Sequence, residues 1–267
     1  MGSFQAMSEQ MICIQLMDRF QGSVNDLGRF QDALNHEDRD GWEQYVRSFE
    51  DGRIDLRGML LSGYDLSGWS LEGVNVLNST FAGSNLRDVN FKGADLTGVN
   101  MSDADLSGAD LSGALLYGAR MSRALITNVN LRGAKLTTAN LSGADITASD
   151  ISEADFTRTD LRTIKMSGVK GHGTVFKGAH MNSAQLRDCD FKDADLSGVD
   201  GRFIVFENCD LSRADLRGSN FARSAFTNVL MDNANLSLTF FNDSLLQKVS
   251  LADANLRGCS ISHQLKK

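Results

Sequence analysis

The chain contains no proline. Proline donates no hydrogen bond to a β-ladder, so its absence leaves every position free to pair as strand. Only 4 cysteines occur, with no CxxC spacing, which argues against a disulfide framework and against a thiolate zinc site. They read as buried free thiols in a reducing compartment, Cys13 in an apolar helical stretch and Cys189, Cys209 and Cys259 as small inward residues. His36, His172, His180 and His263 fall at no metal-ligand spacing and read as solvated. No apolar run is long enough to span a bilayer, and no basic segment precedes an apolar one as in a secretory signal. Also missing are GxGxxG at a strand–helix junction, GxxxxGK followed by Ser or Thr, HExxH and GxSxG. No enzyme is expected on these grounds, and no catalytic residue, metal site or cofactor is assigned.

What the chain does have is a period of five. From Leu56 to Ile261 every fifth residue is apolar, except Gly171 and Gly201. We call that residue i. Position i−2 is small or β-branched, as in Ala94, Val99, Ala104 and Ala109; i−1 is mostly Asp or Asn; i+1 is Ser, Thr or a cation; i+2 favours Gly. The segment Ala104–Ala114, ADLSGADLSGA, is the cleanest example. Neither a helix nor an ordinary strand has this period, so the chain is a repeat protein. Residues i−2 and i share one side of an extended segment and i−1 faces the other, which makes a very short strand. The remaining pair must turn the chain, and Gly58, Gly63 and Gly68 suit a turn that requires positive φ. Asp or Asn at i−1 can bind turn amides through its side chain. One pentapeptide cannot bury its own Leu, but stacked copies can.

These residues closely resemble the pentapeptide-repeat family, with consensus A-(D/N)-L-x-x, over roughly residues 54–261. The resemblance implies an all-β solenoid: a right-handed, quadrilateral β-helix with four pentapeptides, or twenty residues, per coil. The register then gives about ten coils and a rod about 50 Å long. It would stack Phe156 on Phe176, Phe206 on Phe226, Phe221 on Phe241 and Cys189 on Cys209. Gly171 and Gly201 are expected to mark a bulge or a thinner core.

The expected organisation is a helical N-terminal cap over 1–50, the β-helix over 51–262 and a tail over 263–267. Residues 1–6, ahead of Met7, are expected to be a cloning remnant. Three helices are predicted: one after Ser8, running through Met11 to Phe20; one capped by Asn25, with Leu27, Phe30, Ala33 and Leu34; and one capped by Asp40, with Trp42, Tyr45, Val46 and Phe49. The first coil carries large residues at i−2, namely Ile54, Met59, Tyr64 and Trp69. Trp42, Tyr45 and Phe49 are therefore expected to meet Met59, Tyr64 and Trp69 and to shield the open end of the solenoid. A separately functioning helical domain is the alternative.

Too few residues follow Ile261 to cap the other end. Near it, Val205, Ala225 and Leu245 replace Asp or Asn at outward i−1 positions, Phe203 lies at the adjoining corner and Phe240 on the neighbouring face. This surface is the candidate for association, expected as a tail-to-tail homodimer.

Two functions remain. The first is a non-enzymatic scaffold that binds an unidentified protein partner. The second, implied by the resemblance, is DNA-gyrase or topoisomerase IV protection by DNA mimicry, conferring resistance to quinolones or other gyrase poisons. Residues 1–50 carry most of the net charge of −7, and Arg120, Arg123, Lys135, Arg158 and Arg162 interrupt the acidic field along the repeats. A DNA mimic needs that field continuous, so the scaffold reading leads. No basic stripe with interleaved aromatics is present, and direct nucleic-acid binding is not expected. A bacterial, cytoplasmic protein is expected, with secretion as an effector left open.

Overall fold

A computed structural model describes residues 20–49 and 54–261. Two helices come first, α1 (Val24–His36) and α2 (Arg39–Arg47). From Ile54 onward the chain is a β-solenoid in which each i−1 residue pairs in parallel with the one twenty positions on. The column from Asp55 through Asn75 and Asp95 to Asn255 covers ten such steps, so the solenoid has about ten coils.

The coil repeats one hydrogen-bond scheme. The i−1 amide donates to the preceding coil and the i amide to the following one, as Asn75 to the Ile54 carbonyl (2.8 Å) and Leu56 to the Asn75 carbonyl (2.8 Å). A turn bond closes most corners, such as Tyr64 N–H to the Leu61 carbonyl at 3.3 Å. The i−1 carboxylate or amide then accepts the i+1 amide, as Asp65 Oδ1 does from Ser67 (2.9 Å) and Asp110 Oδ1 from Ser112 (2.9 Å). On one wall the later coils straighten, and i+1 joins the ladder. There β1 (Lys165–Ser167), β2 (Gln185–Arg187), β3 (Val205–Glu207), β4 (Ala225–Thr227) and β5 (Leu245–Gln247) form a parallel sheet in chain order.

Side chains at i and i−2 fill the interior. Leu61, Leu106 and Ala104 are fully buried, and a side chain of leucine size buried this way contributes about 1.5–3 kcal/mol. Phe156 stacks on Phe176 (centroids 5.3 Å), Phe206 on Phe226 (5.0 Å) and Phe221 on Phe241 (5.7 Å). Gly171 and Gly201 make neither a bulge nor a thin core, contrary to the sequence reading. Both keep the ladder register, with Gly171 N–H 2.7 Å from the Asp190 carbonyl and Gly201 N–H 2.9 Å from that of Asn220. The rings of Phe191 and Phe221, one coil later, occupy the space over them.

The N-terminal end of the solenoid is closed by hydrogen bonds as well as by packing. Gln21 and Ser23 donate backbone bonds to the Arg57 (2.9 Å) and Asp55 (2.8 Å) carbonyls, an antiparallel pairing that satisfies the two carbonyls a preceding coil would otherwise serve. Gly22 lies between them because a Cβ there would sit 2.3 Å from the Asp55 carbonyl oxygen. Asp26 Oδ2 accepts the Asp55 amide at 2.9 Å, and its Oδ1 accepts the Tyr45 hydroxyl at 2.6 Å. Trp42 Nε1–H donates to the Ser70 carbonyl at 2.6 Å. The helix caps differ from the sequence reading: Ser23 Oγ accepts the Asp26 amide and Asp38 Oδ1 the Gly41 amide, in place of Asn25 and Asp40. In each case the structure uses the residue three before the amide that needs a partner. The helix expected after Ser8 lies outside the described residues, apart from Phe20.

Candidate functional site

Each i−1 and i+1 side chain points out of the tube, so the four walls carry columns spaced twenty residues apart. The β1–β5 register stacks Gln185, Val205, Ala225 and Leu245 in one column. Val205 and Ala225 are half-buried, while Leu245 is 55% exposed. Phe203 sits at the corner beside that column with φ of 62°, and the Arg223 guanidinium lies 5.8 Å from its ring centroid. Phe240 is exposed on the neighbouring wall, in the column Asn220–Phe240–Ser260.

The sequence reading missed Leu230 and Leu238, both exposed. Leu230 replaces an acid at i−1 in the column Asp190–Asp210–Leu230, and Leu238 replaces Gly at i+2. The signal was therefore the same one that marked Val205. With them the apolar surface becomes a collar: Leu245, Leu230, Leu238 and Phe240 surround the rod within its last two coils. Inside that collar the core itself opens, since Leu246 and Leu251 are half-buried and Leu256 and Ile261 exposed. Tyr117 and Leu125 are exposed singly on opposite walls in mid-rod.

At the cap, Trp42 and Met59 are buried, and Phe30 lies edge-on to both Trp42 (4.8 Å) and Trp69 (5.7 Å). Tyr64 is half-buried against the same core. Tyr45 packs between Trp42 (5.7 Å) and Phe49 (5.1 Å), and Phe49 is exposed on its outer side. Burial, with the Asp26 carboxylate as second cause, pushes the Tyr45 hydroxyl above its ordinary pKa.

Charge is distributed unevenly among the walls. The wall made by residues 70, 72 and 73, and every twentieth residue after each, carries nine acidic side chains against five basic. The opposite wall, from residues 60, 62 and 63, carries four acidic against five basic. Most of the cations are already paired. Arg123 holds Asp103 and Arg213 holds Asp193 across coils, while Arg162 holds Asp160 within one pentapeptide. The Arg162 hydrogen bond keeps the Asp160 carboxyl below the usual range, and Arg213 does the same for Asp193.

Among the described residues, no three or more of His, Cys, Asp or Glu gather as for a metal ion. His36, His172 and His180 are exposed, and His263 lies outside the described residues, as does Cys13. Cys189 and Cys209 are buried free thiols and Cys259 is half-buried. No helix among the described residues is long and apolar enough to cross a membrane.

The pentapeptide-repeat family model matches in 8 copies, over residues 65–162, 172–200 and 202–262. The chain belongs to the pentapeptide-repeat family. Among solved structures it is similar to HetL, a pentapeptide-repeat protein involved in heterocyst differentiation regulation in the cyanobacterium Nostoc sp. strain PCC 7120, at 23% identity over 82% of this chain and 92% of HetL (TM-score 0.45). A pentapeptide-repeat protein of the Arabidopsis thaliana thylakoid lumen is 45% identical over 38% of this chain and 71% of its own (TM-score 0.33). QnrB1, a plasmid-mediated fluoroquinolone resistance protein, is 18% identical over 78% of this chain and 91% of its own (TM-score 0.35). No curated protein matches the chain.

Proposed function

We propose that this pentapeptide-repeat protein is a non-enzymatic scaffold of the cytoplasm, which binds a protein partner along its walls and pairs tail to tail with a second copy. Residues 20–49 serve as the cap of the rod rather than as a domain of their own. The apolar collar formed by Leu230, Leu238, Phe240 and Leu245 carries this reading. In mid-rod the repeats expose large apolar side chains only singly, as at Tyr117 and Leu125, whereas a continuous exposed apolar surface next to a sheet edge favours association. Phe203, Val205 and Ala225 extend the same surface along one corner. Light scattering of the full chain at micromolar concentration is expected to give a dimer. The double variant Phe240→Asp, Leu245→Asp is expected to give a monomer with unchanged circular dichroism. A monomeric wild-type chain removes the homodimer.

The second reading is topoisomerase protection by DNA mimicry, and the acidic wall is the observation that favours it. A wall with nine acids offers part of the field that competes for a polyphosphate-binding surface. The paired arginines and the near-neutral opposite wall weigh against it. A gyrase supercoiling assay with and without a fluoroquinolone separates the two readings. Protection or inhibition at low micromolar protein replaces the scaffold reading, and no effect leaves it standing.

A further inference from the structure

The longest stretch of the chain without an acid, residues 111–144, carries Arg120, Arg123, Arg132 and Lys135 in a protein of net charge −7. Arg123 and Arg132 are paired, with Asp103 and Glu153, but Arg120 and Lys135 hold no carboxylate among the described residues. The two flank one corner of the rod. Lys135 stands one rung beyond Leu115 in the column Asp95–Leu115–Lys135–Asp155, and Arg120 belongs to the adjoining wall, in the column Asn100–Arg120–Asn140. Between them Tyr117 is exposed, and its hydroxyl has no protein partner. The acids on either side, Asp95 and Asp155, accept the amides of Thr97 (3.1 Å) and Thr157 (2.9 Å). The fold gives up turn bonds to place these residues. Asn100 Oδ1 accepts the Ser102 amide at 3.1 Å and Asn140 Oδ1 the Ser142 amide at 2.9 Å, while Arg120 between them has no acceptor to offer Ser122. Leu115 and Lys135 withhold one from Tyr117 and Thr137 in the same way. All four side chains point outward, so the core gains nothing in exchange.

We propose that Tyr117, Arg120 and Lys135 form the docking point for an acidic segment of the partner protein, one that carries an apolar residue among its carboxylates. The proposal rests on the scaffold reading and adds to it the corner that binds and the chemistry of what is bound. Exposed Tyr and Arg are the residues that concentrate binding energy at protein interfaces. A guanidinium fork takes a carboxylate through two parallel hydrogen bonds, which Arg120 is free to make. Lys135, one rung of about 4.8 Å further along the rod than Leu115, takes a second carboxylate. The apolar residue packs on the Tyr117 ring beside half-buried Leu115. Recognition runs through side chains, because the backbone is already occupied: the Tyr117 carbonyl accepts the Gly98 amide at 2.9 Å and the Arg120 carbonyl the Met101 amide at 2.7 Å. An added strand has no edge to pair with here. The acids elsewhere on the rod repel such a segment, which directs it to this corner.

The test is selection of a random-peptide phage library on the full chain, followed by fluorescence anisotropy with the selected peptides. Peptides that carry Asp or Glu around a Leu or Phe are expected, with affinity that falls as salt is raised. Tyr117→Thr, Arg120→Asn and Lys135→Asn should each weaken them about tenfold. Every one of these variants installs a residue that its column already holds, as Thr137, Asn140 and Asn75 show, so the fold is expected to survive. The two Asn variants should melt at the wild-type temperature or above, because a turn acceptor returns. Lys165→Ala and Lys170→Ala, on the other walls, should bind as wild type. Neutral or basic peptides, or acidic ones indifferent to the three variants, overturn the proposal. Peptides that depend on another wall overturn it while leaving the scaffold reading in place, and a library that yields no binder removes both. A labelled single-stranded oligonucleotide that binds more tightly than the peptides, and is lost in the same variants, assigns the corner to nucleic acid instead.

Discussion

The ring of Phe191 fills the space in which a side chain at Gly171 would begin: a Cβ there would lie 2.5 Å from the Phe191 Cδ1. The same relation links Gly201 to Phe221, at 2.7 Å. Where the repeat lacks its apolar residue, the next coil supplies the volume. Gly171→Leu restores the consensus and should nevertheless destabilise the protein, by about 1–3 kcal/mol, because the core there is already full. Urea denaturation checks this. An unchanged or raised midpoint would mean that Phe191 can move aside at no cost.

The Gly171 example shows what could be read along the chain and what could not. The period of five was legible because the interior selects one large apolar residue per pentapeptide, from Leu56 to Ile261. Volume compensation was hidden because its partner lies twenty residues away, in the direction of stacking. The contact of the helices with the first coil was signalled by Met59, Tyr64 and Trp69, which are larger than any i−2 residue of the later coils. The helix starts were misplaced because Ser23, Asn25 and Asp26, or Asp38 and Asp40, could each cap. The pairing of Gln21 and Ser23 with the first coil leaves no mark in three residues of sequence. The collar was half legible: attention to one column found Leu245 and passed over Leu230.

Asp26 ties both helices to the first coil, and its loss should act on that end alone. Asp26→Ala removes the acceptor for the Tyr45 hydroxyl and for the Asp55 amide, which no earlier coil serves. A bond to a charged group contributes about 1.5–3 kcal/mol, so about 3 kcal/mol of local stability should go. Tyr45→Phe removes one of the two bonds and should cost about 1.5 kcal/mol. In a solenoid each coil contacts only its neighbours. Hydrogen exchange should therefore accelerate in the coils near Leu56 and Leu61 and stay unchanged near Phe206. Uniform acceleration along the rod would show that the cap supports the whole protein, not its edge.

The corners carry a different strain. Thr138 is exposed and holds a left-handed conformation, with φ of 61°, at a position where many other corners use Gly. This conformation costs a residue with a Cβ about 1–2 kcal/mol, with branched side chains worst placed. Thr138→Gly should raise stability by about 1 kcal/mol, reduced somewhat by the loss of the hydroxyl's bond to the Thr137 carbonyl at 2.6 Å. Thermal melting reads the effect, and a lowered melting temperature would place more weight on that hydroxyl than on the backbone.

Acid should weaken the rod through the same i−1 carboxylates that shape its turns. The Ser67 backbone amide, with its hydroxyl, holds the Asp65 carboxyl below the usual range, and Arg162 and Arg213 do so for Asp160 and Asp193. Groups whose pKa is depressed on folding bind protons more readily when unfolded. Their contribution is therefore complete above the unfolded value of about 3.9 and is lost as pH falls through the lower folded value. Denaturation midpoints should hold steady from neutral pH down to about 5, then fall below about 4. Asp65→Asn should make that fall shallower, since the amide oxygen can still accept from Ser67 without titrating, as Asn100 does from Ser102 at 3.1 Å. A midpoint that rises on acidification would instead assign the dominant role to repulsion among the acids of the 70–73 wall, relieved as they protonate.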